Sequence, residues 1–108
     1  MSTAAAAAVE SARPRLIFFH DERSGRSRRA EGFLAQVLQR GRNHQTFVIH
    51  RVEVGQRPDL ADRFKIGVTP TLLVVADKKV QARLESPTGC REIELLLGPW
   101  LRVAPAAR

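Results

Sequence analysis

The sequence predicts one α/β domain with a mixed central sheet and helices on both faces, in the order β-α-β-α-β-β-α. Two observations carry this expectation. Short apolar runs of strand length alternate with stretches whose apolar residues recur at helical spacing. The last two strand-like runs are separated only by a tight turn, which makes that pair antiparallel within a sheet that starts with a crossover unit.

The first strand is Arg15-Leu16-Ile17-Phe18-Phe19-His20, a continuous apolar run of the kind buried in a parallel pair. Ala30, Phe33, Leu34, Val37 and Leu38 then recur in steps of three and four, the stripe of one helix face. Gly41 is expected to close that helix from the C′ position. Thr46–Val54 is β-branched and nearly continuous, a second strand that completes a right-handed β-α-β unit. Pro58–Phe64 reads as a short helix entered by proline, with Asp59 and Asp62 as favourable charges near its start. Thr71–Ala76 is a third strand. Asp77-Lys78-Lys79 turns it into Val80–Leu84, which alternates and runs back antiparallel. Ile93, Leu96, Leu97, Trp100 and Leu101 form a last helix that Gly98-Pro99 should break.

The chain has 108 residues, of which 44% are hydrophobic and 27% charged, a globular balance. That length buries roughly two-thirds of the unfolded surface in one domain. The expected division is a disordered tail over 1–13, the domain over 14–102 and a short tail over 103–108. The single cysteine, Cys90, excludes an intrachain disulfide and a Cys-rich zinc site. No apolar stretch approaches the ~18 residues of a membrane span. The apolar start carries no Lys or Arg before it, unlike a secretory leader. The expectation is a cytoplasmic protein without a membrane, metal or cofactor requirement. His20, His44 and His50 show no metal-ligand spacing; His20 alone is of interest, because it closes the first strand. Net charge is +7, and 15 of the 18 basic residues are arginine. Such a surface favours acidic or phosphorylated ligands or nucleic acid, although arginines scattered over the chain are also what a solvated surface looks like.

At the junction between the first strand and the first helix stands Arg23-Ser24-Gly25-Arg26-Ser27-Arg28-Arg29. This arrangement, together with Phe64-Lys65-Ile66-Gly67-Val68-Thr69-Pro70-Thr71-Leu72, resembles the thioredoxin-like superfamily over about Arg15 to Leu101. In that family the first run leads into a Trp-Cys-x-x-Cys motif at a helix start, and the second into a cis-proline. By resemblance, Ser24-Gly25-Arg26-Ser27 occupies the Cys-x-x-Cys position and Pro70 that of the cis-proline. The resemblance also implies a buried acid where this chain has Phe18, and a tryptophan where it has Arg23. Serine is not ionised near neutral pH, and two serines cannot cycle between dithiol and disulfide. Dithiol exchange at this position is therefore excluded on chemical grounds.

Two readings of the altered junction follow. Ser24 is a good N-cap for a helix beginning near Gly25, with Ser27 a first-turn residue that has no required role. Alternatively, the helix start is an anion-recognition surface, since Arg26, Arg28 and Arg29 oppose the helix dipole unless a ligand balances them. The resemblance implies a groove of Ser24, Arg26, Val68, Thr69 and Pro70 like the family's peptide-binding surface, where an extended segment pairs beside the cis-proline. The expected function is a redox-inactive protein-binding or adaptor module with no catalytic residue, contacting its partner through Arg23, Ser24, Arg26, Ser27, Arg28, Arg29, Val68, Thr69 and Pro70. The alternatives are a nucleic-acid- or ribosome-associated basic protein, marked by strong salt dependence, and a thiol activity of Cys90, which would lack a resolving partner.

Overall fold

The computed structural model describes residues 13–40, 42–43 and 45–101. The expected tails over 1–13 and 103–108 lie outside the described residues except for Arg13, as do Gly41, His44 and Arg102. Within them the elements follow the expected order: β1 (Arg15–His20), α1 (Gly25–Arg40), β2 (Val48–Glu53), α2 (Pro58–Arg63), β3 (Thr71–Ala76), β4 (Lys79–Glu85) and α3 (Cys90–Leu97). The sheet order is β2-β1-β3-β4. The pair β1–β2 is parallel and the other two pairs are antiparallel, so the sheet is mixed.

Alternation along β1 sorts the core into two layers. Leu16 and Phe18 join Ala30, Leu34, Val37 and Leu38 of α1 and Ile93 and Leu97 of α3. Phe19, Val52 and Leu73 face the other way, toward Leu60 of α2 and Phe64 just after it. Helices thus cover both faces, but unequally: α1 has sixteen residues and α2 only six.

The ends of the elements have local causes. After α1, Asn43 N–H donates to the Leu38 carbonyl at 2.7 Å and Arg42 N–H to that of Gln39 at 3.2 Å. These two bonds are those of a Schellman closure, with Arg42 in the left-handed region at φ 55°. Between β3 and β4 the turn is the two residues Asp77 and Lys78, with φ 54° and 64°. Positive values at both positions match the right-handed twist of a hairpin. The register slips between Val74 and Val75, and Val80 is left exposed. α3 stops at Leu97, just before Gly98-Pro99, while Trp100 and Leu101 still pack on the main core.

Candidate functional site

The loop from β1 into α1 is built by its serines. Ser24 N–H donates to the Asp21 carbonyl at 2.9 Å, closing a turn, and Arg23 N–H donates to Asp21 Oδ1 at 2.9 Å. Ser24 Oγ accepts from Ser27 N–H at 3.2 Å, the bond of an N-cap to the third helical residue. Ser27 reaches back: its Oγ accepts from Asp21 N–H at 3.0 Å, and the residue is only 3% exposed. The expectation that Ser27 has no required role is thereby corrected. The two serines clasp the loop in series: Ser24 Oγ caps the helix at Ser27 N–H, and Ser27 Oγ holds the Asp21 amide, three residues before the N-cap, rather than the Ser24 amide that a capping box would hold. Both hydroxyls serve the backbone.

The arginines of the junction do not form one cluster. Arg26 and Arg29 line a depression of about 370 Å³ whose other walls are Phe33, Ser86, Pro87 and Thr88. Arg23 faces a separate hollow with Asp21, Glu22 and Glu53. Arg28 Nη1 donates to the Glu22 carbonyl at 3.3 Å. Unlike Arg40, Arg51, Arg57 and Arg83, which pair with Glu94, Glu31, Asp59 and Glu85, Arg26 and Arg29 form no side-chain hydrogen bond or ion pair among the described residues. The first turn of α1 contains no acidic residue. Two unpaired guanidinium groups, with no acidic residue among the described lining residues, give this depression a positive charge.

The Ser86–Thr88 wall brings the depression close to Pro70, because Ser86 N–H donates to the Pro70 carbonyl at 2.8 Å. The Thr69–Pro70 peptide bond is cis. Pro70 is buried, Thr69 half-buried, and Val68 is 44% exposed. Thr71 Oγ1 donates to the Val68 carbonyl at 2.7 Å, fixing the loop from one side. Arg83 of β4 fixes it from the other, its Nη1 donating to the Phe64 carbonyl at 2.9 Å and its Nη2 to that of Lys65.

Two carboxylates hold the surrounding loops. Glu53 accepts from Glu22 N–H at 3.1 Å and from Gln56 N–H at 3.0 Å, tying the loop after β1 to the loop after β2. The Glu22 amide, followed by the Gln56 and Gly55 amides, holds its carboxyl below the ordinary glutamate range. Glu92 accepts from both N–H and Oγ1 of Thr88, and the Thr88 amide lowers its pKa likewise. Sequence reasoning missed Phe33, Ser86, Pro87 and Thr88 as walls of the depression. The signal that would have found them is Ser86-Pro87-Thr88 itself, a polar loop with proline just before a helix, its threonine four residues upstream of Glu92.

His20 is half-buried, and its ring stacks on that of Phe18 with centroids 5.4 Å apart. Cys90 opens α3; its Sγ lies 3.2 Å from Gln36 Oε1 and 3.7 Å from the Phe33 carbonyl, both acceptors. No other cysteine exists in the chain, so no Cys-x-x-Cys pair does either. Among the described residues no group of three or more His, Cys, Asp or Glu could hold a metal ion. No described helix is long and apolar enough to cross a membrane.

No protein-family model matches the chain, and the search of curated proteins finds no significant match. Solved structures do match. Mitochondrial thioredoxin 3 from Saccharomyces cerevisiae, in its oxidized form, superposes with a TM-score of 0.69 at 13% identity over 90% of this chain and 89% of its own. A single-site mutant of thioredoxin from Halobacterium salinarum gives 0.71 at 14% identity over 90% and 82%. The germline-specific thioredoxin Deadhead of Drosophila melanogaster gives 0.74 at 11% identity over 92% and 91%.

Proposed function

The fold being thioredoxin-like and the chain having no dithiol motif, we propose that the protein is a non-catalytic binding module. It docks an acidic or phosphorylated segment of a protein partner at the start of α1. The observation that carries this reading is the contrast within one motif. Ser24 and Ser27 spend their hydroxyls on the backbone, while Arg26 and Arg29 stand unpaired, among the described residues, over a depression at the same helix end. Guanidinium groups there recognise a carboxylate or phosphate, and Phe33 and Pro87 offer an apolar wall beside it. Val68, exposed next to the loop held by Thr71 and Arg83, extends the same surface toward an incoming strand.

A probe that carries both features, phenyl phosphate, tests the reading by NMR on the isotope-labelled protein. Saturable shifts at Arg26, Arg29, Phe33, Ser86 and Thr88, absent from the Arg26→Ala/Arg29→Ala variant, are expected. Shifts that persist in the variant, or that spread evenly over the other arginines, would remove the site from consideration.

The net charge of +7 favours a second reading, a nucleic-acid-associated protein. That binding would weaken steeply and log-linearly with salt as counterions are released. Only 6% of the residues are aromatic, and among the described residues Phe33 is the sole aromatic ring on the walls of the arginine depression, so base stacking has little to rest on.

A further inference from the structure

The opposite face of the sheet holds a second cleft, and its origin is a mismatch of lengths. The six residues of α2 span about 9 Å, while six-residue strands run about 20 Å. α2 therefore covers only the layer around Phe19, Val52 and Leu73, where Phe64 lies 5.8 Å from Phe19, ring centroid to ring centroid. The next positions toward the start of β1 are Ile17, paired with His50 on one side, and Arg15, paired with Val75 on the other. Among the described residues no helix covers them, and they frame a cleft of about 540 Å³. That volume lies within the range of small-molecule sites.

The chemistry of the cleft is two-sided. Its floor is apolar, with Ile17 and Val75 half-buried and Leu60 and Phe64 forming the α2 wall. Its rim is cationic. Arg57 is already held by Asp59 at 2.9 Å and Arg51 by Glu31 at 2.8 Å. Arg15 and Arg63 form no side-chain hydrogen bond or ion pair among the described residues. His50 also lines the cleft, and its Nε2 is buried without a hydrogen-bond partner among the described residues, a state that costs free energy until a polar group satisfies it. An occupant must therefore combine an apolar body with an anionic or hydrogen-bonding end.

We propose that this cleft binds a small amphipathic carboxylate, its apolar part on Ile17 and Val75 and its carboxylate at the rim of Arg15 and Arg63. The site is separate from the depression at the start of α1 and does not depend on the function proposed there.

The test is an NMR titration of the full chain with decanoate, kept below its micelle concentration, alongside decanol and acetate. Decanoate should give saturable shifts confined to Ile17, His50, Val52, Leu60 and Val75, and should bind at least about tenfold more tightly than decanol. Acetate should give none. The Arg15→Ala/Arg63→Ala variant removes only exposed, unpaired side chains, and its decanoate affinity should fall to that of decanol. Equal affinity of the native chain for decanoate and decanol would overturn the proposal, because the charge would then play no part. So would shifts that scatter over the surface or fail to saturate, or a double variant that binds decanoate unchanged.

Discussion

Replacing Ser27 by alanine separates the structural role of the junction from its recognition role. The side chain is buried, and its Oγ is the acceptor for Asp21 N–H at 3.0 Å. Alanine fills nearly the same space but leaves that amide without its partner, a loss of about 1–3 kcal/mol. In a domain of this size each kcal/mol moves the melting temperature by roughly 4–8 °C. Ser27→Ala should therefore melt well below the native chain, by about 4 °C at the least. Ser24→Ala should cost about 1 kcal/mol through loss of the cap to Ser27 N–H at 3.2 Å. The two bonds share one loop, so the double variant should be more stable than the sum of the single losses predicts. The assay is thermal and urea unfolding of the four proteins. A Ser27→Ala variant melting within about 1 °C of the native protein would refute the clasp, and strict additivity would refute the coupling of its two bonds.

The remaining predictions concern charge and backbone conformation. Arg26→Ala/Arg29→Ala should fold normally and melt at the same or a higher temperature, since the exposed Arg26 in the first helical turn opposes the dipole by about 0.3–1 kcal/mol; a cooperative loss of structure by circular dichroism would show the arginines to be structural. Glu53 and Glu92 have pKa values lowered by the Glu22 and Thr88 amides. Their stabilisation is present above the ordinary value of 4.5 and is lost as pH falls through the lowered folded values. The urea midpoint should thus drop below about pH 4.5 and fall less steeply in Glu53→Gln; identical slopes would exclude Glu53 as a contributor. Lys78 and Arg42 sit at φ 64° and 55°, so Lys78→Gly and Arg42→Gly should each raise stability by up to about 1 kcal/mol, and a lower urea midpoint in either would count against the backbone argument.

The legible part of the fold was the part fixed by periodicity. Thr71–Ala76 is a strand with the expected bounds, and the stripe from Ala30 to Leu38 is the buried face of α1. Strand ends were less legible, because they depend on pairing partners: β2 begins at Val48, where its N–H finds the Pro14 carbonyl, two residues after the β-branched run starts. Arg42 takes up the left-handed region after α1 although its residue type gives no sign of that conformation. The junction was legible as a capped helix start that cannot exchange disulfides. Ser27 was not, because its partner Asp21 N–H depends on how the loop folds back. One wall of the arginine depression comes from Ser86–Thr88, far along the chain from Arg26, which only the antiparallel return of β4 brings to α1.

The most direct measurement is affinity capture from native lysate with the native chain and the Arg26→Ala/Arg29→Ala variant as baits, each washed at low and high salt. The account predicts a protein that survives the high-salt wash on the native bait and is absent from the variant, with Ser27→Ala, once shown to be folded, retaining it. Identical background on native and variant baits would contradict the account, and so would nucleic acid that leaves with salt as the only material retained.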